Sequence, residues 1–182
     1  MRGLGLTRLG QRLPSLGALV LLGGAVFLLL RGGDDESAQN ADGASVATPG
    51  DSVTARVLEV VDGDTIDVSL GGETEPVRYI GIDTPESNPD VPYECFGDEA
   101  DRLNRELVGG REVKLTFDDE RRDQYGRLLA YVYVDDLFVN AEIVRRGYAR
   151  TLTIEPNTDH ADLLARLQQE AGNAGRGLWG AC

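Results

Sequence analysis

Three runs of β-branched residues follow one another between positions 53 and 80, parted by connections of only a few residues. Val53–Val61 (VTARVLEVV) alternates in part and reads as a strand. Asp62-Gly63-Asp64 turns it into a second strand, Thr65–Leu70, and Gly71-Gly72 is a hairpin signal leading to a third, Glu75–Ile80. Phe96–Val108 then carries Ala100, Leu103, Leu107 and Val108 at helical spacing and is stopped by Gly109-Gly110. Arg111–Phe117 and Leu128–Val134 read as further strands, Asp135-Asp136 as a turn, and Val139–Arg146 as a short helix ended by Gly147. His160–Ala171 reads as a last helix, with Thr158 or Asp159 as its cap and Gly172 as its stop. Five short strands with one interposed helix suit an α+β fold, mainly β: a five-stranded Greek-key barrel of the OB type with about three flanking helices.

The chain before this body has a different character. Leu13–Leu30 contains no charged residue and follows Arg2, Arg8 and Arg12, which predicts a signal anchor or signal peptide over residues 1–31. Leu28-Leu29-Leu30-Arg31 offers no small-residue cleavage site, so the anchor is the expected reading, with cleavage within Ser37–Ala47 as the alternative. Positive residues before the apolar run place the body, residues 52–182, outside the membrane or make it secreted. Residues 32–51, rich in Gly, Ser, Ala and Asp, read as a flexible acidic linker. The two cysteines, Cys95 and Cys182, suggest a disulfide in an exported chain, worth about 4–5 kcal/mol in the chain-entropy model; two unrelated thiols is the alternative. With two Cys and one His, the chain has no zinc signature.

Three clusters in the body carry chemistry. Asp62-Gly63-Asp64-Thr65 is commonest as a tight turn, but two carboxylates on a turn also suit a hard cation. Arg78 lies inside a strand, where it needs an anion, and Asp83 and Glu86 leave that strand end three residues apart. One of those acids could ligate a metal while the other positions a water; the bland reading is solvated acids and a surface ion pair. Arg121-Arg122-Asp123-Gln124-Tyr125-Gly126-Arg127 precedes a strand. It reads either as a solvated charged loop or as a phosphate clamp with an aromatic face for a base.

Taken together, the segments VVDGDTIDV, VRYIGIDTPE, DQYGRLLAYVYVDD and LFVNAEIVRRGYAR resemble the thermonuclease family, the staphylococcal-nuclease-like phosphodiesterases, from about Thr54 to Trp179. The resemblance implies that Asp64, Asp83 and the main-chain carbonyl of Thr84 bind one divalent ion, Ca²⁺. It implies that Glu86 orients and deprotonates the attacking water, that Arg78 and Arg127 hold the scissile phosphate, and that Tyr125 lies near it. Asp62 and Thr65 would support the metal loop, and His160 would be structural. Cys95 and the closing LWGAC are shared with exported relatives, which supports the bridge. Two departures stand out. Arg150–Pro156 has no aromatic where the family often stacks a base, and Ser87–Glu94 is rich in Pro and Asp.

The resemblance thus predicts a Ca²⁺-dependent nuclease, monomeric, cutting DNA and RNA at the 5′ P–O bond to leave 3′-phosphates. The alternative is a membrane-tethered OB-fold module that binds nucleic acid without cutting it. Charge bears on this prediction. The chain has 18 Lys+Arg against 31 Asp+Glu, and the whole net charge of −13 falls on residues 51–182. Such a balance disfavours binding through a broad basic face. At 1 M salt, however, the Debye length is about 3 Å and long-range repulsion is nearly gone. A single Lys, Lys114, in so acidic a chain predicts a halophilic protein.

Overall fold

The computed structural model describes residues 50–87, 92 and 94–182. The expected anchor (residues 13–30) and residues 32–49 of the expected linker lie outside the described residues, as does most of Ser87–Glu94. Among the described residues no helix is long and apolar enough to cross a bilayer.

Strands β1 (Ser52–Val60), β2 (Thr65–Leu70) and β3 (Glu73–Tyr79) form an antiparallel meander. Pairing begins at Leu70↔Glu73, directly across Gly71-Gly72, two residues earlier than the sequence pattern suggests, because a two-residue turn leaves nothing else between the strands. After β4 (Gly81–Asp83) and helix α1 (Gly97–Val108), strand β5 (Glu112–Thr116) pairs with the far side of β1. Strand β6 (Leu128–Val134) pairs antiparallel with β5 and parallel with β3, closing a five-stranded barrel in the order β3-β2-β1-β5-β6. Closure removes the free edges an open sheet would expose. The α+β barrel of OB type expected from the sequence is the observed fold.

The remaining elements are short or peripheral. Strand β7 (Leu137–Phe138) hairpins with β6 and runs into helix α2 (Val139–Arg146); β8 (Arg150–Leu152) pairs with β4. Helix α3 (Ala161–Asn173) and the single turn α4 (Leu178–Ala181) end the chain. Strands β4, β7 and β8 are two or three residues long, too short to show a period, and so escape a pattern reading. The start of α3 also differs from expectation. Its cap position is His160, with no side-chain cap bond, and the helix runs through Gly172. The Asp159 N–H donates instead to Asp118 Oδ2 at 3.2 Å.

Burial explains the selection of these elements. Val113 and Leu115 alternate inward on β5, and on β6 Leu128, Ala130, Val132 and Val134 do the same. They join Ile66, Val68 and Val77 in one core that Leu103, Ile143 and Leu164 cap from the helices. His160 belongs to this framework as expected, its ring 4.5 Å from Tyr131 and 4.8 Å from Phe138. Cys95 and Cys182 are disulfide-bonded, Cα atoms 6.0 Å apart.

Candidate active site

The β2–β3 ladder places Arg78 opposite Thr65, one residue from Asp64. The Tyr79 N–H donates to the Asp64 carbonyl at 2.9 Å, tying the end of β3 to the β1–β2 turn. From this register Arg78 Nη1 reaches Asp64 Oδ2 at 2.8 Å, and Nη2 reaches Asp83 Oδ1 at 2.8 Å. The guanidinium also donates to the Ile82 carbonyl at 2.9 Å. One cation therefore joins a buried carboxylate and an exposed one.

Asp64 is held from several sides. Thr84 donates to its Oδ2 through N–H (2.8 Å) and hydroxyl (3.1 Å), and the Thr65 hydroxyl donates to Oδ1 at 3.2 Å. A Cβ at Gly63 would stand 2.6 Å from Thr84 Oγ1, so only glycine lets the turn lie this close to Thr84. The Asp62 carboxylate accepts from the Asp64 N–H at 3.0 Å, and the Asp62 carbonyl accepts from Asn104 Nδ2 at 2.8 Å. Asn104 in turn accepts from the buried Tyr79 hydroxyl at 2.9 Å. Helix α1 thus grips the acidic turn through one amide, a role the sequence reading missed. Burial pushes the Asp64 carboxyl up to about 7; Arg78 pulls against this and the Asp62 charge adds to it.

Glu86 is exposed, and its main chain is bonded to Glu94. Its carboxyl is raised above the usual range, first by burial and then by the charges of Asp62, Asp83 and Glu94, with Arg78 opposing. It therefore shares the electrostatic field of the Asp64–Arg78–Asp83 group.

The second arginine arrives through barrel closure. The parallel pair Val77↔Leu128 puts Arg78 just after one partner and Arg127 just before the other. Both line a cleft of about 380 Å³ with Tyr125, Leu152 and Ile154. Tyr125 is 76% exposed, with the Arg127 guanidinium 5.6 Å from its ring centre. Asp123 organises this loop. Its Oδ2 accepts from Arg127 Nε at 2.7 Å, and its Oδ1 accepts from the N–H groups of Tyr125 and Arg127 at 3.0 Å each. Burial pulls the Asp123 carboxyl upward, but these donors outweigh it and hold the group below the usual aspartate range. Asp123 also went unread in the sequence, although an Asp four residues before an Arg across a glycine turn is a recognisable signal. The neighbouring arginines serve the framework: Arg122 forks onto Glu75 at 2.9 and 3.0 Å, and Arg121 lies 3.8 Å over the Phe117 ring.

The donor set fits a hard cation. Asp64 and Asp83 already converge on one positive group, and both offer oxygen only. Among the described residues no three His, Cys, Asp or Glu side chains gather, so main-chain carbonyl and water oxygens would complete the coordination. Of the residues expected at the site, Arg78, Asp64, Asp83 and Thr84 form one bonded group. Arg127 and Tyr125 share a cleft with Arg78, and Glu86 is linked to the acids by charge rather than by a hydrogen bond.

A family model described as staphylococcal nuclease homologue matches residues 76–181. The chain is 43% identical over 122 residues to the SPbeta prophage-derived endonuclease YokF of Bacillus subtilis, covering 65% of this chain and 41% of that one. It is 42% identical over 130 residues to endonuclease YncB of Bacillus subtilis, covering 70% and 62%. To the thermonuclease of Staphylococcus intermedius it is 36% identical over 124 residues, covering 68% and 74%. The match thus spans less than two thirds of the two Bacillus proteins and about three quarters of the staphylococcal one.

Proposed function

The chain belongs to the staphylococcal nuclease homologue family, and from that premise we propose that it is a metal-dependent nuclease hydrolysing phosphodiester bonds in DNA and RNA. One observation carries the reading: Arg78, joined to Asp64 and Asp83, lines the same cleft as Arg127. Two guanidiniums on one cleft suit a phosphodiester, since each fork can donate to two phosphate oxygens.

A strand enters the cleft with its phosphate between Arg78 and Arg127. Tyr125 offers a face to the sugar or base, and Leu152 and Ile154 offer aliphatic surface. Glu86 takes a proton from water, whose oxygen bonds to phosphorus. The P–O5′ bond breaks, the leaving oxygen takes a proton from solvent water and becomes a 5′-hydroxyl, and the phosphate stays on the 3′ side. The two guanidiniums stabilise the charge gathering on the equatorial oxygens. A divalent cation such as Ca²⁺, held by Asp64, Asp83 and the Thr84 main-chain carbonyl, supplies further positive charge against the phosphate when bound.

The same reading places the enzyme outside the membrane, tethered by residues 13–30, and working as a monomer at high salt. There its net charge of −13 no longer repels the substrate at long range. The test is the full chain in mild detergent with single-stranded DNA, with and without Ca²⁺. Fragmentation that needs the ion supports the nuclease; retardation without fragments identifies a binding module instead.

A further inference from the structure

Glu86 follows the end of β4 and belongs to no helix or strand, and among the described residues its main chain is held by a downstream stretch, Glu94–Gly97. The Glu94 N–H donates to the Glu86 carbonyl at 3.2 Å. In return the Glu86 N–H donates to the Glu94 carboxylate at 3.3 Å. The third contact is steric. A Cβ at Gly97, the first residue of α1, would stand 2.4 Å from the Glu86 carbonyl oxygen and 3.0 Å from the Ser87 nitrogen. The helix start therefore lies directly on the backbone that carries Glu86, an approach only glycine allows.

This stretch is held from elsewhere in the molecule. Cys95 is bonded to Cys182, 87 residues away. Cys182 closes α4, which is anchored where the Leu178 N–H donates to the Gly147 carbonyl at 2.9 Å. Phe96 has φ +79°, a left-handed conformation that a residue with a side chain keeps only when its surroundings impose it. Its ring packs edge-on to Tyr148, centroids 4.8 Å apart. The contribution of α1 to the core comes from other residues, Ala100, Leu103 and Val108, while Cys95 and Cys182 are both exposed. The cross-link thus adds little buried surface. What it fixes is the segment bonded to Glu86.

We infer that the Cys95–Cys182 disulfide, acting through Glu94, Phe96 and Gly97, is the positioning device for Glu86, and that full activity requires the oxidised cross-link. The inference rests on the proposed role of Glu86 as the base. Reduction by a dithiol breaks the S–S bond, leaves two thiols and converts the dithiol to its own disulfide. The Glu94–Gly97 stretch then loses its tie to the carboxyl end. A misplacement of about 1 Å at a reacting group can cost about a hundredfold in rate. Arg78, Arg127 and Tyr125 stand on β3 and the loop before β6, away from this stretch, so substrate binding should survive.

The experiment compares the full chain oxidised, reduced with dithiothreitol, and as Cys182→Ser, each assayed well below its measured melting temperature. The expected result is a fall in kcat of at least tenfold with KM unchanged within twofold. With the disulfide intact, Glu94→Ala should show the same fall, while Glu94→Gln, which keeps an acceptor for the Glu86 N–H, retains the rate. Hydrogen exchange supplies a readout independent of activity. On reduction the Glu94 and Gly97 amides should exchange at least tenfold faster, and the Ile66 and Val68 amides of β2 at their former rate. An unchanged kcat after reduction, or unchanged exchange at Glu94 and Gly97, overturns the inference. An oxidised protein that cuts nothing removes the nuclease reading, and the exchange comparison then decides the positioning claim alone.

Discussion

Arg78 and Asp64 form a 2.8 Å ion pair whose geometry is set by strand register, because the β2–β3 ladder puts Arg78 opposite Thr65, next to Asp64. The Gly71-Gly72 turn fixes that register. A one-residue slip would turn Arg78 to the other face of the sheet and separate it from both Asp64 and Asp83. The charge cluster is therefore a consequence of hairpin chemistry that starts six or seven residues before Arg78.

Glu86→Gln should lower kcat by about 10²–10⁴-fold, the usual worth of a general base. Binding of a nucleotide should persist, since both arginines of the cleft are untouched. Steady-state kinetics and a binding titration check this together. An unchanged rate removes Glu86 from its assigned role.

Arg127→Ala should cost about 10²–10³ in kcat, in line with the loss of one donor to a developing oxyanion. Asp123→Ala should cost less, because Arg127 then keeps its charge but loses the 2.7 Å bond that aims it. Equal losses for the two variants would show that Asp123 supplies more than orientation.

Stability should fall at the acid end through Glu142 and the two arginines of α2 that hold it. Burial pulls the Glu142 carboxyl upward, but Arg145 and Arg146, at 2.6–2.8 Å, outweigh it and hold the group below the usual glutamate range. A carboxylate depressed by folding stabilises the native state above its unfolded value, 4.5, and that stabilisation is lost as pH falls through the lower folded value. Melting temperatures of wild type and Glu142→Gln should therefore differ above pH 5 and converge in strong acid. A constant difference across that range contradicts the assignment.

Salt should stabilise the protein. With a net charge of −13, self-repulsion weakens as ionic strength rises. The melting temperature should climb by several degrees between 0.1 and 2 M KCl. A flat or falling curve counts against adaptation to high salt.

The sequence made the barrel legible because β2 and β6 carry inward-facing apolar residues between clear turn signals, and their observed bounds are the expected ones. Arg78, Asp64 and Asp83 were legible as motif residues, but their shared ion pair depends on pairing between strands. Asn104 was not legible. It is one polar residue on the buried face of α1, and its partners, Asp62 and Tyr79, lie 42 and 25 residues away. No local pattern encodes a contact of that range. Leu152 and Ile154 looked like a mere lack of aromatics until the β4–β8 pairing brought their segment to the cleft.

The most direct test of the central claim is the end chemistry of the products. The full chain, oxidised and supplied with Ca²⁺, is incubated with an end-labelled single-stranded DNA at low and molar salt, and the fragments are resolved by mass. Fragments ending in 3′-phosphate and 5′-hydroxyl, formed only with the ion present, are expected. Intact DNA under every condition, or fragments ending in 3′-hydroxyl and 5′-phosphate, would contradict the claim.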